Sequence, residues 1–305
     1  MTLAGTRTFT LGSRPSQLAR WQTEWILNGL KKAHPEFSYR VVTLITEGDR
    51  KLDRPLPAIG GKGLFTAELE RALLQSEIDL AVHSLKDLPT QSSPELTIGA
   101  ISARADPRDV IISARKQTLQ TLPTNARVGT SSLRREAQLK HARPDLAISP
   151  LRGNIDTRLR KALEGQYDAI VMAAAGVERL GLNDAITGYL PLDVMLPAPG
   201  QGALAVQCRA NDLELLDLLL CVHDESTRRA VTAERAFLAA LGSGCSAPVA
   251  AYAQASGQIL EMTGLVASVN GQQIIRVQAS GEDPERLGQQ LALQAVQMGA
   301  EKLLR

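Results

Sequence analysis

A chain of 305 residues, 44% hydrophobic and 22% charged, is too long for one ordinary core and reads as two or three soluble domains. A formal net charge of only +2 argues against non-specific nucleic-acid binding, and 3% aromatic residues argue against a base-stacking surface. No apolar run reaches the roughly 18 residues that span a bilayer, and the N-terminal MTLAGTRTFTLGSR has no secretory h-region, so a cytoplasmic protein without membrane contact is expected.

In chain order, Phe9 to Gly12 reads as a first strand, and Ser13-Arg14-Pro15-Ser16 opens a helix through Leu18, Trp21, Trp25, Ile26 and Leu30. Arg14 therefore falls at a strand-to-helix junction. Tyr39 to Thr46 reads as a strand, and 47–63 as a long loop with Gly48, Pro55, Pro57, Gly60, Gly61 and Gly63, of a length usual for lids or mobile segments. Its GGKG lacks the earlier Gly and the following Ser or Thr of a nucleotide P-loop. An amphipathic helix follows over Phe65 to Gln75, with Leu69, Ala72 and Leu73 inward. Ile78 to Val82 is a buried-type strand running into His83-Ser84-Leu85-Lys86-Asp87-Leu88-Pro89. Adjacent Lys86 and Asp87 at a strand's carboxyl end suit chemistry, the Asp for a proton or cation and the Lys for an anion, or else form a surface turn with a weak ion pair. Leu96 to Ala103 is another strand, and the polar break Arg104 to Asp109 before Val110 to Ser113 suggests a crossover between domains.

The stretch from Arg127 to Arg160 concentrates charge: eight basic against three acidic residues give a local net of +5 in a chain of +2. Leu133 to Ala142 reads as a helix capped by Ser131 or Ser132 and stopped by Pro144, and Leu146 to Ser149 as a strand before a helix over Ile155 to Leu163. Two tandem strand-loop-helix units gather loops and helix N-termini at the carboxyl edge of a parallel sheet, where anions bind. Arg134, Arg135, Arg152 and Arg158 lie at those loops, and guanidinium groups take carboxylates or phosphates bidentately. The alternative is a solvated helix face.

Asp168 to Met172 reads as a strand and Ala173 to Leu180 as a short helix whose Arg179 suits either a C-terminal charge or a ligand. Pro197 to Ala203, PAPGQGA, matches G-x-G-x-x-A only formally, because a strand pattern follows it, and reads as a second crossover. Helices over Asp212 to Val222 and Thr227 to Leu241, strands over Val249 to Ala255, Leu260 to Ala267 and Gln273 to Ala279, and a helix over Pro284 to Leu304 make a small α+β tail, with Asn270-Gly271 as a type I′ hairpin signal. Cys208 and Cys221 read as buried small hydrophobes. Cys245 stands apart in the Gly/Ser loop GSGCSAP, sterically open for covalent attachment. Three cysteines without CxxC and four scattered histidines predict neither a disulfide framework nor a metal site.

Taken together, Arg14-x-Ser16-x-Leu18-Ala19, GGKGLF, AVHSLKDLP, DPRD, GTSSLRR, LRGNIDTR, DAIVMAAAG, PGQGA and GCSAP closely resemble, in order, the porphobilinogen deaminase (hydroxymethylbilane synthase) family. One departure is that the family has Pro directly after the serine matching Ser16, where this chain has Gln17, with Pro15 before it. The resemblance implies two α/β domains like the lobes of periplasmic binding proteins, joined by two crossovers, plus a C-terminal α+β domain: 1–104 with 200–222, then 105–199, then 223–305. It implies a dipyrromethane cofactor, built from two substrate molecules and held through a thioether to Cys245, with Asp87 as the catalytic carboxylate. It places Arg14, Ser16, Lys86, Thr130, Ser131, Ser132, Arg134, Arg135, Arg152, Arg158 and Arg179 on the acetate and propionate groups of cofactor and substrate. The partners implied are porphobilinogen and the growing oligopyrrole chain, with no nucleic acid and no membrane, and the protein is expected to be a monomer. Its reaction would polymerise four porphobilinogens with loss of ammonia, through an electrophilic azafulvene, and release linear hydroxymethylbilane. A two-lobed receptor for a small anion is the competing class, disfavoured by the missing secretory signal and the accessible Cys245. The arginine loops are expected to face Asp87 and Lys86 across a cleft.

Overall fold

The computed structural model describes residues 7–50, 66–91, 93–242, 244 and 247–304, so the GGKG motif and Cys245 lie outside the described residues. The strands are β1 (Thr8–Ser13), β2 (Ser38–Thr43), β3 (Leu80–Ser84), β4 (Leu96–Ile101), β5 (Asp109–Ile112), β6 (Arg127–Gly129), β7 (Ala147–Ser149), β8 (Ala169–Ala173), β9 (Gly188–Tyr189), β10 (Leu204–Arg209), β11 (Val249–Ser256), β12 (Ile259–Ala267) and β13 (Ile274–Gly281). The helices are α1 (Gln17–Ala33), α2 (Glu47–Arg50), α3 (Ala67–Leu74), α4 (Leu133–Ala142), α5 (Ile155–Leu163), α6 (Ala174–Arg179), α7 (Leu213–Leu218), α8 (Glu225–Ala240), α9 (Pro284–Gln297) and α10 (Ala300–Leu303). No helix among the described residues is long and apolar enough to cross a membrane. The chain divides into two compact units, Met1–Arg104 with Ala203–Arg228, and Ala105–Gly202 with Arg229–Arg305.

The first unit holds a five-stranded sheet in the order β2-β1-β3-β10-β4. β1 runs parallel to β2 and β3, while β10 is antiparallel to both its neighbours. β3 reads LAVHS and has a core on each face, as a covered parallel sheet requires. Leu80 and Val82 pack with Phe9, Leu11, Ile26 and Leu30, whereas Ala81 packs with Leu69, Leu73 and Ile78. α1 buries Ala19, Gln22, Thr23, Ile26, Leu27 and Leu30, a 3-and-4 spacing that turns one stripe to the sheet. Each large apolar side chain so buried contributes about 1.5 to 3 kcal/mol before entropy is counted. α2 is a single turn where the sequence suggested uninterrupted loop.

The second unit repeats the pattern in the order β7-β6-β8-β5-β9, with β6 parallel to β7 and β8, and β5 antiparallel to β8 and β9. In each sheet the reversed fourth strand is the one that the chain enters just after passing from one unit to the other: β5 on the way out and β10 on the way back. The same unit carries the antiparallel meander β11-β12-β13. One face of it packs Met262, Val266 and Val277 against Phe237, Leu287 and Leu291, while Leu265 and Ala267 pack with Ala137 of α4 and Leu196.

Two expectations are corrected here. Asn270-Gly271 does not form a type I′ turn, for which both central residues need positive φ. The turn runs from Ser268 to Gly271, closed by Gly271 N–H to Ser268 C=O at 2.9 Å, and Gly271 alone is left-handed, with φ 70°. A Cβ there would stand 2.4 Å from the Ala137 carbonyl oxygen, so glycine lets the hairpin dock on α4. Cys208 is buried as expected, its thiol pushed up to about 11 by burial, but Cys221 is exposed on a single-turn helix over Leu219–Val222.

Candidate active site

In the first unit, chemistry collects where β1 and β3 end. β3 runs into one 3₁₀ turn, Leu85–Asp87, held by Leu85 N–H on the Ala203 carbonyl and by Leu88 N–H on the Leu85 carbonyl, both at 3.1 Å. Leu85 and Leu88 are buried and clamp the turn. Between them Lys86 is half-buried, and Asp87 is exposed with no hydrogen bond from any described residue to its carboxylate. At the end of β1, the Arg14 Nε and Nη2 donate to Asp49 on α2 at 3.2 and 2.5 Å, and Thr46 Oγ1 donates to the same carboxylate at 2.7 Å. Burial opposes the charge on Asp49, but Arg14 and Thr46 outweigh it and hold the carboxyl below its ordinary range. Asp49 was not foreseen as the partner of Arg14. Ser16 caps α1, accepting from Ala19 N–H at 3.3 Å, so the Pro15-Ser16-Gln17 departure leaves a normal helix start with the hydroxyl proton still available.

His83 lies buried in β3, where burial and the Arg14 charge push its pKa down to about 4. Its ordinary value is 6.5, so between those pH values the unfolded chain binds a proton that the folded chain refuses. Stability should therefore fall as pH drops from about 6.5 to 4, by about 3 kcal/mol in all. Urea melts of the protein and of His83→Gln across that window test this. The variant should lose most of the slope, and equal slopes would refute the assignment.

In the second unit, the tandem units place two helix starts side by side. Ser132 caps α4, accepting from Arg135 N–H at 3.4 Å, and Asn154 caps α5, accepting from Thr157 N–H at 3.0 Å. Thr130 is buried and accepts Ser132 N–H at 3.2 Å. Ser131 laces the two loops together: its hydroxyl donates to Leu151 C=O at 2.9 Å and accepts Leu151 N–H at 3.0 Å. That hydroxyl gives its proton to the Leu151 carbonyl and so braces the two loops.

Arg134 and Arg135 are neither a solvated face nor simply open to a ligand. They are 5% and 6% exposed, and both reach the fully buried Asp109, the first residue of β5. Arg134 Nη1 lies 2.8 Å from Oδ2 and Arg135 Nη2 2.8 Å from Oδ1, while Arg134 Nη1 also donates to the Leu196 carbonyl at 2.7 Å. Burial would raise the Asp109 pKa, yet the two guanidinium groups outweigh it and hold the carboxyl far below its usual range. Two cations share one anion, so the cluster keeps a surplus positive charge. Among the other cations of the basic stretch, Lys140 pairs with Glu136, Arg143 with Asp145 and Arg160 with Glu164.

Among the described residues, the guanidinium donors Arg135 Nε and Arg152 Nη2 are buried with no hydrogen-bond partner. An orphaned donor on a charged group costs about 1 to 3 kcal/mol or more, which an incoming carboxylate would recover. Arg158, near the start of α5, reaches back to the loop that carries Arg152, its Nε donating to Gly153 C=O at 2.7 Å. Arg179, at the end of α6, donates through Nη2 to Gly202 C=O at 2.7 Å. Burial pushes its pKa down to about 10, against the pull of Glu178, so it remains a cation at neutral pH. A dipyrromethane carries an acetate and a propionate on each ring, and paired donors on two adjoining loops fit such carboxylates. Asp109 and Gln201 were missed as parts of this cluster, although DPRD and PGQGA contain them.

Comparison with known proteins agrees in kind. A family model described as "Porphobilinogen deaminase, dipyromethane cofactor binding domain" matches residues 9–217, and one described as "Porphobilinogen deaminase, C-terminal domain" matches residues 228–297. A porphobilinogen deaminase of Alkaliphilus metalliredigens is 47% identical over 300 residues, covering 98% of this chain and 95% of its own. Those of Geobacillus kaustophilus and Bacillus subtilis are each 49% identical, covering 98% of this chain and 97% and 96% of theirs. Among solved structures, the periplasmic VFT2 domain of Bordetella pertussis BvgS aligns with TM-score 0.42 and 15% identity over 70% of this chain and 86% of its own. A probable amino-acid ABC transporter extracellular-binding protein of Bacillus subtilis aligns with TM-score 0.41 and 13% identity over 70% and 89%.

Proposed function

We propose, because this chain belongs to the porphobilinogen deaminase family, that it is a cytoplasmic, monomeric transferase joining four porphobilinogen molecules head to tail on a dipyrromethane held through Cys245, with release of ammonia and linear hydroxymethylbilane. The observation that carries the reading is the pair of buried, unpartnered guanidinium donors on Arg135 and Arg152 beside the N-termini of α4 and α5. A cationic ligand would be repelled there and a neutral acceptor would leave the surplus positive charge unanswered, whereas a polycarboxylate meets the donors, the charge and the helix N–H groups together.

The bound dipyrromethane supplies a free α-carbon to which substrate is joined. In this reading Arg135, Arg152, Arg158 and Arg179 hold acetate and propionate groups, Thr130 and Ser132 line the helix N-termini, and Arg134 fixes Asp109 and thereby Arg135. In the first unit Arg14, Ser16 and Lys86 take substrate carboxylates. Asp87 accepts a pyrrole N–H, stabilises positive charge that develops on that nitrogen, and moves the α-proton. Each charge-assisted hydrogen bond contributes about 1.5 to 3 kcal/mol, so a chain that gains two carboxylates with every added ring needs this many permanent cations.

The test is the intact mass of the purified protein, followed by peptide mapping. The mass should exceed the sequence mass by two linked pyrrole units, and the increment should map to the peptide containing Cys245. Protein that turns over porphobilinogen at its bare sequence mass would sink the assignment.

A further inference from the structure

Two of the proposed carboxylate ligands, Arg135 and Arg179, together with Arg134, which shares Asp109 with Arg135, are tied to one short turn that has no assigned role. Ala198-Pro199-Gly200-Gln201 closes with Gln201 N–H on Ala198 C=O at 2.9 Å, and Gly200 has φ 77°. Pro second and a left-handed Gly third are what a type II turn demands, so the sequence itself sets this shape. From it Gln201 Nε2 donates to Asp109 Oδ1 at 2.8 Å and to Pro107 C=O at 2.7 Å, using both amide protons. Asp109 Oδ1 is the oxygen that Arg135 Nη2 also holds. Gly202 C=O, one residue on, accepts Arg179 Nη2 at 2.7 Å. On the turn's other side, Gly200 N–H donates to Glu234 Oε2 at 2.7 Å, and Glu234 Oε1 accepts Ala253 N–H at 2.8 Å. Glu234 is fully buried on α8, and Ala253 lies on β11, the helix and strand between which Cys245 falls in the sequence.

We propose that the Ala198–Gly202 turn, through Gln201 and with Glu234 behind it, positions Arg134, Arg135 and Arg179 relative to α8 and β11, between which Cys245 lies in the sequence, so that the cofactor's carboxylates meet the guanidinium groups in register. Gln201 and Glu234 are positioning residues: they act through Asp109 and the turn and do not touch the ligand. The donors of Arg135 are useful only if its plane is fixed, and bidentate capture tolerates little rotation. Backbone hydrogen bonds alone leave the guanidinium planes unset, whereas a carboxylate gripped on Oδ1 by two donors and on Oδ2 by a third has one orientation.

This inference rests on the functional reading above, and its test separates the two. Gln201→Met keeps the side chain's length but donates nothing. As purified, its ratio of cofactor-free to cofactor-bearing protein by intact mass should rise about tenfold over wild type, the size of one lost hydrogen bond to a charged group, with circular dichroism unchanged. Glu234→Gln, which keeps the shape and one acceptor, should shift the same ratio in the same direction. A Gln201→Met protein loaded like wild type, or one whose loading falls only as far as its folded fraction, overturns the proposal. If Gln201→Met fails to accumulate, a Glu234→Gln protein loaded like wild type overturns it equally. Wild-type protein without the two-pyrrole increment would instead overturn the functional reading.

Discussion

Asp87→Asn is expected to fold and load cofactor normally while kcat falls by about 10² or more. The stability half follows from the surroundings. Asp87 is exposed on its 3₁₀ turn, and that turn is held by backbone hydrogen bonds and by buried Leu85 and Leu88, none of which uses the carboxylate. Exposed substitutions that break no contact usually change stability by about 0.5 kcal/mol or less. The kinetic half follows from charge. Asparagine keeps the size and one acceptor oxygen, so a pyrrole N–H can still be met, but it offers no negative charge against the cation that develops on nitrogen and no basic oxygen for the proton. The loss should appear in kcat more than in KM, since the charge matters most in the transition state. Single-turnover rates and thermal melts of the loaded variant check both halves. A kcat near wild type would remove Asp87 from the chemistry, and a variant that unfolds would make it structural.

How far the sequence anticipated this depends on whether the controlling interaction is local. α4 and α5 run over Leu133–Ala142 and Ile155–Leu163 as read, because caps at Ser132 and Asn154 and the stop at Pro144 act within a few residues. The parallel pairing of β6 and β7 follows from the strand-loop-helix order. The partners of the arginines were not legible, since Asp109 lies 25 residues before Arg134 and Gln201 lies 92 beyond Asp109. In the sequence Asp109 sits in a polar break, and only the sheet order that puts β5 beside β8 buries it beneath the α4 loop. Asp49 was hidden in the same way: Arg14 reaches 35 residues ahead to a helix of one turn inside a stretch without periodicity. A net charge of +5 is a sum, and it could not show that five of the eight cations are committed to carboxylates, two of them to the same one.

Asp109→Asn should be among the most damaging single substitutions in the second unit, lowering stability by about 3 to 5 kcal/mol. The carboxylate is fully buried and, among the described residues, is the one anion paired with the two buried guanidinium groups, so its removal leaves two uncompensated charges that cannot shed their protons. Removing a cation should cost less. Arg134→Met leaves Arg135 and Asp109 as a neutral pair still gripped by Gln201, and in the Asp109→Asn background it should restore part of the loss, giving a coupling energy of opposite sign to the single effects. The pH dependence separates this cluster from His83. The Asp109 carboxyl is held below its ordinary 3.8, so its contribution is complete above that value and fades only in stronger acid, as the unfolded chain takes up the proton first. Acid melts should therefore show an early loss from about 6.5 to 4 that His83→Gln removes, and a later loss below about 4 that Asp109→Asn removes. If Asp109→Asn matches wild type at pH 7, the arginine pair does not depend on this carboxylate, and the charge balance drawn for the cluster is wrong.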